Sequence, residues 1–128
     1  MGNATPTTAV VDDEESVGRA IKRLLRSVGM EAEVFTTGEQ FLDRLSSVPS
    51  FRPGCAVLDV QMPGISGLDV QRRLAGSLIR VVIITAHDDA AVREQVLAAG
   101  AVGYLRKPFN GSVLIRTVQM ALGIPLTP

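Results

Sequence analysis

Five short apolar runs, Ala9–Val11, Ala32–Phe35, Cys55–Leu58, Val81–Ile84 and Val102–Leu105, alternate with longer stretches whose apolar residues recur at helical spacing. This alternation constrains the fold more than any other feature. Strands separated by helix-length connections, with no hairpin turn between them, must lie parallel and be joined by right-handed crossovers. The first, third and fourth runs are continuously apolar, as strands covered on both faces are, and read as central. Ala32-Glu33-Val34-Phe35 carries a charge and reads as an edge strand. The expected fold class is α/β: a doubly wound, five-stranded parallel sheet with five helices in a three-layer sandwich.

The helices carry their own start and stop signals. Val17, Ile21, Leu24, Leu25 and Val28 mark the first, with Gly29 at a left-handed stop. Thr37 and Gln40 have capping-box spacing ahead of Phe41, Leu42 and Leu45. Residues 49–54 read as a loop. The third helix starts near Ser66 and carries Leu68 and Leu74. The fourth starts at Asp88 or Asp89, buries Val92 and Val96, and stops at Gly100. Asn110 caps the last, whose Leu114, Val118 and Leu122 recur every four residues.

Composition limits the function classes. Of 128 residues, 46% are hydrophobic, enough for one domain with a core and no staple. The reading is a single domain, residues 1–128, with its core at about 8–122 and loose ends. Thirteen basic residues balance thirteen acidic ones. A partner such as nucleic acid or an acidic membrane demands a basic excess, so direct binding to either is not expected. A single Cys55 excludes an internal disulfide and a Cys-rich zinc site. No membrane span or secretory signal is evident, and the cytoplasm is the expected compartment.

In an open parallel sheet the functional crevice lies beyond the carboxyl ends of the strands. The first run ends in Asp12-Asp13, the third in Asp59 and the fourth in Thr85, and Lys107 follows the fifth after Arg106. Three ionised carboxylates about 5 Å apart at an effective dielectric near 20 repel by roughly 3 kcal/mol per pair. They call for a hard cation, Mg²⁺ ahead of Mn²⁺, with few protein ligands. A carboxylate left free can attack phosphorus if the passing phosphoryl oxygens are neutralised, here by the metal, Lys107 and Thr85. The constellation fits phosphoryl transfer to Asp59.

Val10-Val11-Asp12-Asp13-Glu14, Leu58-Asp59-Val60-Gln61-Met62-Pro63-Gly64 followed by Gly67, Ile84-Thr85-Ala86, and Tyr104-Leu105-Arg106-Lys107-Pro108-Phe109 occur in this order. Together they resemble the receiver domain of two-component response regulators, closest to the FixJ-like branch. The resemblance spans about Thr8 to Leu122. It implies a CheY-like (flavodoxin-like) sheet of order 2-1-3-4-5. Asp59 would be the phosphoacceptor, and Asp12, Asp13, Asp59 and the backbone carbonyl of Gln61 the Mg²⁺ or Mn²⁺ ligands. Lys107 would meet a phosphoryl oxygen, with Pro108 on a cis bond behind it, while Thr85 and Tyr104 would be the switch pair and Ala86 would leave phosphorus accessible. The implied donor is a sensor histidine kinase. The implied chemistry is self-catalysed phosphotransfer and autodephosphorylation, in a switch rather than an enzyme. The face of the fourth helix, fifth strand and fifth helix would control a homodimer or a C-terminal DNA-binding output domain outside this sequence. The end at Ile124–Pro128 suits either a tail or a linker.

Two other readings compete, the first with the same fold and the second with the same aspartyl-phosphate intermediate. A pseudo-receiver lacks one of the acidic or lysine positions, and none is missing. An aspartyl-phosphate phosphatase wants Asp-x-Asp after the first strand, which is absent. His87 reads as a loop residue at the site mouth, Cys55 as a small buried residue, Asp88 and Asp89 as helix caps. Glu14 and Glu15 read as first-turn acids that modulate ion affinity. The interval between Asp59 and Thr85 is shorter than the family commonly uses, with the deficit near residues 76–80, so the third helix or its exit should be short.

Overall fold

The computed structural model describes residues 6–125. Of the ends expected to be loose, residues 1–8 and 123–128, residues 1–5 and 126–128 lie outside them, whereas Thr8 is the buried first residue of the first strand. The chain runs β1 (Thr8–Val11), α1 (Glu15–Arg26), β2 (Ala32–Phe35), α2 (Gly38–Ser47), β3 (Cys55–Asp59), α3 (Gly67–Arg73), β4 (Arg80–Thr85), α4 (Ala90–Ala98), β5 (Gly103–Arg106) and α5 (Gly111–Ala121). All four strand pairings are parallel, in the order β2-β1-β3-β4-β5. The three continuously apolar runs are the three central strands.

Side chains alternate across the sheet and define two cores. On one face Ala9, Val11, Ala56, Leu58, Val81 and Ile83 pack under α2, α3 and α4, joined by Phe35, Phe41, Val70 and Val96. On the other, Val10, Val57, Val82 and Ile84 pack under α1 and α5 through Ile21, Leu25, Leu114 and Val118. Phe35, Phe41 and Phe51 form an aromatic cluster with centroids 5.5 to 6.4 Å apart. The Arg44 guanidinium covers its outer side and pairs with Glu33 at 2.7 Å, which accommodates the charge of edge strand β2.

Caps set the helix starts. Ser66 and Asp69 form a reciprocal capping box on α3, while Asp89 and Asn110 cap α4 and α5 through their carboxylate and amide oxygens. Thr37 caps α2, but Gln40 returns its bond to the N–H and hydroxyl of Thr36, so the box closes one residue early. α3 has only seven residues, in keeping with the short interval.

Two apolar positions differ from expectation. Val28 is exposed, because α1 ends at Arg26 and the chain turns through Gly29 at φ +81°. Val102 is exposed as well: β5 begins at Gly103, one residue later than the apolar run. Val102 still donates its N–H to Val81 at 2.8 Å, so it joins the sheet through backbone alone. Buried Gln71 on α3 was not singled out from sequence. Its amide nitrogen donates to the Val96 carbonyl at 3.0 Å and ties α3 to α4.

Candidate functional site

Strand ends carry the polar residues to one edge. Asp59 is the last residue of β3 and pairs in register with Ile84, so Thr85, the last residue of β4, lies one step beyond it. Val11 pairs with Leu58, which brings Asp12 alongside Asp59 as β1 exits. Backbone bonds hold this edge rigid: Asp12 donates to the Phe35 carbonyl at 3.0 Å, Val60 to Ile84 at 3.1 Å, and Lys107 to Thr85 at 2.7 Å. The Lys107–Pro108 peptide is cis, as the resemblance implies.

Gly67 shows how tightly α3 docks beneath the site. Its N–H donates to the Val60 carbonyl at 3.0 Å, and a Cβ built there would run into the Asp59 carbonyl oxygen. Only glycine permits that approach. Gly64, at φ +78°, turns the loop after β3 over α2, where Glu39 accepts the Ile65 N–H at 3.2 Å. Gln61 lies exposed in this loop, two residues past Asp59.

Asp12, Asp13 and Asp59 each offer a carboxylate oxygen within 4.8 Å of the others. Asp12 is fully buried, Asp59 nearly so, and Asp13 faces solvent. Lys107 leans into this cluster, its Nζ 2.8 Å from Asp12, 3.4 Å from Asp59 and 3.3 Å from Glu14. Burial raises the Asp59 carboxyl from 3.8 to about 7; the Asp12 charge adds to the rise and Lys107 opposes it. For Lys107, burial works to lower the ammonium pKa, but the Asp12 and Asp59 carboxylates, with Glu14, outweigh it and raise the value. The Cys55 thiol, pushed up to about 12 by burial, sits at the far end of β3 and takes no part.

Among these oxygens, Asp12 Oδ2 is the informative one. It is fully buried, and Lys107 approaches it closely but out of line for a hydrogen bond, so no aligned donor reaches it. An oxygen-only donor set with an uncapped, buried carboxylate oxygen suits a hard divalent cation. The residues at this edge fit such an ion.

Thr85 keeps its hydroxyl within its own turn, donating to the His87 carbonyl at 3.0 Å and accepting the His87 N–H at 3.1 Å. The imidazole of His87 makes no hydrogen bond among the described residues, so this residue meets Thr85 through its backbone alone. Tyr104 is half-buried against the α2–α4 core; its hydroxyl accepts the Asp89 N–H at 3.4 Å, and Arg93 sits 5.9 Å from the ring centroid. The site edge and the start of α4 are therefore linked through Thr85, His87, Asp89 and Tyr104.

A five-stranded 2-1-3-4-5 sheet with an acidic cluster and a lysine in the crevice beyond its carboxyl edge is a doubly wound scaffold with its polar residues at the usual ligand position. Residues 8–119 match the family model of the response regulator receiver domain. The chain is 36% identical over 124 residues to the response regulator protein TmoT of Ectopseudomonas mendocina, covering 95% of this chain and 55% of that one. It is 37% identical to the transcriptional regulatory protein FixJ of Azorhizobium caulinodans, covering 89% and 54%. A solved receiver protein from Burkholderia phymatum superposes with a TM-score of 0.88 at 62% identity, covering 96% of this chain and 99% of that one. This chain belongs to the response regulator receiver family of two-component signalling. It spans about half the length of the two named regulators. Receiver domains are regulatory switches rather than classical enzymes. Among the described residues no helix is long and apolar enough to cross a membrane.

Proposed function

We propose that this chain is a cytoplasmic phosphorylation switch in which Asp59 accepts a phosphoryl group from a phosphohistidine, the donor being a sensor histidine kinase. The observation that carries this reading is the meeting of Asp12, Asp13 and Asp59 within 4.8 Å, with Lys107 on both Asp12 and Asp59. Asp12, Asp13, Asp59 and the Gln61 carbonyl would hold Mg²⁺, with Mn²⁺ as a substitute. Bound there, the ion supplies positive charge against the phosphoryl oxygens.

The residues do the rest. An Asp59 carboxylate oxygen bonds to phosphorus as the phosphorus–nitrogen bond of the donor breaks, and the electron pair returns to the imidazole. Lys107 neutralises one equatorial oxygen, and Ala86 leaves the approach to phosphorus open. The new group brings about −1.5 to −2 charges and three acceptor oxygens, so the Thr85 hydroxyl exchanges its His87 contacts for a charge-assisted bond. That movement loosens the turn leading to Asp89, and Tyr104 follows into the space released. The α4–β5–α5 face then shifts its population toward a form that dimerises or engages a transcriptional output domain. The relatives named as transcriptional regulators support that output.

Incubation with acetyl phosphate and Mg²⁺, read by intact-protein mass, tests the proposal. One added phosphoryl group, absent without the metal and absent in Asp59→Asn, is expected. Failure to gain it, or its persistence in Asp59→Asn, overturns the assignment of the acceptor.

A further inference from the structure

At the start of α1 a capping residue leaves its side chain uncommitted to the helix. Thr37, Ser66, Asp89 and Asn110 each accept a first-turn N–H with a side-chain oxygen, whereas Glu14 at the head of α1 makes no such bond. Its backbone is anchored instead, donating N–H to Asp12 Oδ1 at 2.9 Å, and its carboxylate crosses to Lys107 at 3.3 Å.

We propose that Glu14 is a positioning residue for Lys107: a resting-state restraint that competes with the incoming phosphoryl group for the ammonium and so lowers the level of Asp59 phosphorylation. The inference rests on the function proposed above. Three carboxylates surround the ammonium: Glu14 accepts a hydrogen bond from it, whereas Asp12 and Asp59 meet it as ion pairs. Asp12 and Asp59 are fixed at strand ends with side chains 0% and 5% exposed, while that of Glu14 is 60% exposed. Glu14 is therefore the partner that can leave. When a phosphoryl oxygen arrives, Lys107 has to re-aim one N–H, and the contact surrendered at least cost is the solvated one. Every phosphorylation event then includes loss of the Glu14 contact, and the free protein is favoured by whatever that contact is worth.

Two substitutions separate this restraint from simple charge repulsion. Glu14→Gln removes the charge. Glu14→Asp keeps the charge but, being one methylene shorter, withdraws it from Lys107. Each protein is labelled with acetyl phosphate at saturating Mg²⁺, and the ratio of phosphorylated to free chain is read by intact mass. Both variants are expected to raise that ratio about two- to five-fold, the range an exposed ion pair supports. A ratio unchanged or lowered in either variant overturns the restraint; in particular, a rise in Glu14→Gln with none in Glu14→Asp assigns the effect to charge alone. Wild-type protein that takes no phosphoryl group overturns the underlying function and the restraint with it, whereas normal wild-type labelling with unresponsive variants overturns only the restraint. Thermal unfolding of the variants reports any change in α1 separately, because fraying of that helix would alter stability without raising the labelling ratio.

Discussion

In the metal-free protein, Asp59→Asn should stabilise the fold, and the gain should grow with pH. Burial and the neighbouring Asp12 charge raise the Asp59 carboxyl from 3.8 to about 7. The folded state therefore holds a proton that the unfolded chain releases at lower pH. The stability linked to this group is fully present below the unfolded value, declines as pH rises, and is lost once pH passes the folded value. The gap corresponds to roughly 4 kcal/mol at about 1.4 kcal/mol per unit, as a ceiling. Two features reduce it. Lys107 loses an acceptor in the variant, and Asp13 is open to water, which screens the cluster. An advantage of about 2 kcal/mol at about pH 8, falling toward zero near pH 4, is the expected outcome.

Urea unfolding followed by far-ultraviolet circular dichroism in the presence of a chelator measures this directly. Wild type and variant are compared at both ends of the window, with equal slopes against denaturant as the check that only stability has changed. Adding Mg²⁺ should then narrow the difference at high pH, because a cation that binds the folded wild-type cluster stabilises it by mass action and binds the variant more weakly. A variant less stable than wild type at high pH, or an advantage of equal size at both pH values, would refute the claim that the carboxylates repel one another within a buried edge.

Three further substitutions test how the scaffold supports that edge. Gly67→Ala should cost roughly 2–4 kcal/mol and abolish Mg²⁺-dependent labelling, because the added methyl displaces the Asp59 backbone; thermal unfolding and mass labelling read the two effects. Phe41→Ala removes the largest fully buried side chain and should cost about 3–5 kcal/mol in chemical denaturation. Gln71→Leu deletes the side-chain bond between α3 and α4 and leaves one acceptor bond, from Ala101, on the Val96 carbonyl. A loss of about 1–2 kcal/mol is expected, with faster amide hydrogen exchange in the last turn of α4.

The features legible in the sequence are those that a one-dimensional period records. Continuous apolar runs named the central strands because a strand covered on both faces has no room for a polar side chain, and β1, β3 and β4 obey that rule. Residues that follow such runs fall on one edge because parallel strands all finish on the same side, so Asp12, Asp59, Thr85 and Lys107 could be brought together without tertiary information. Exact ends were less legible. Apolar character suggested burial for Val28 and Val102, but each lies where the chain has already turned, and burial depends on the direction of Cβ rather than on residue type.

What no period records is the choice among partners within reach. Glu14 has the residue type of a first-turn acid, and Gln71 that of a helix-surface residue; neither signals in sequence that one faces Lys107 and the other bonds a buried carbonyl. Lys107 shows the limit most clearly. Sequence order places an amine beside carboxylates, yet its closest oxygen belongs to Asp12 rather than to Asp59, the residue it would serve during phosphoryl transfer. The difference is set by side-chain geometry after the backbone is complete, with a buried carboxylate competing for a single ammonium. Under the function proposed above, the buried Asp12 contact holds the ammonium in place and the exposed Glu14 contact is the one given up to a phosphoryl group, so the order of the strand ends would determine which chemistry is available and the competition for Lys107 when it proceeds.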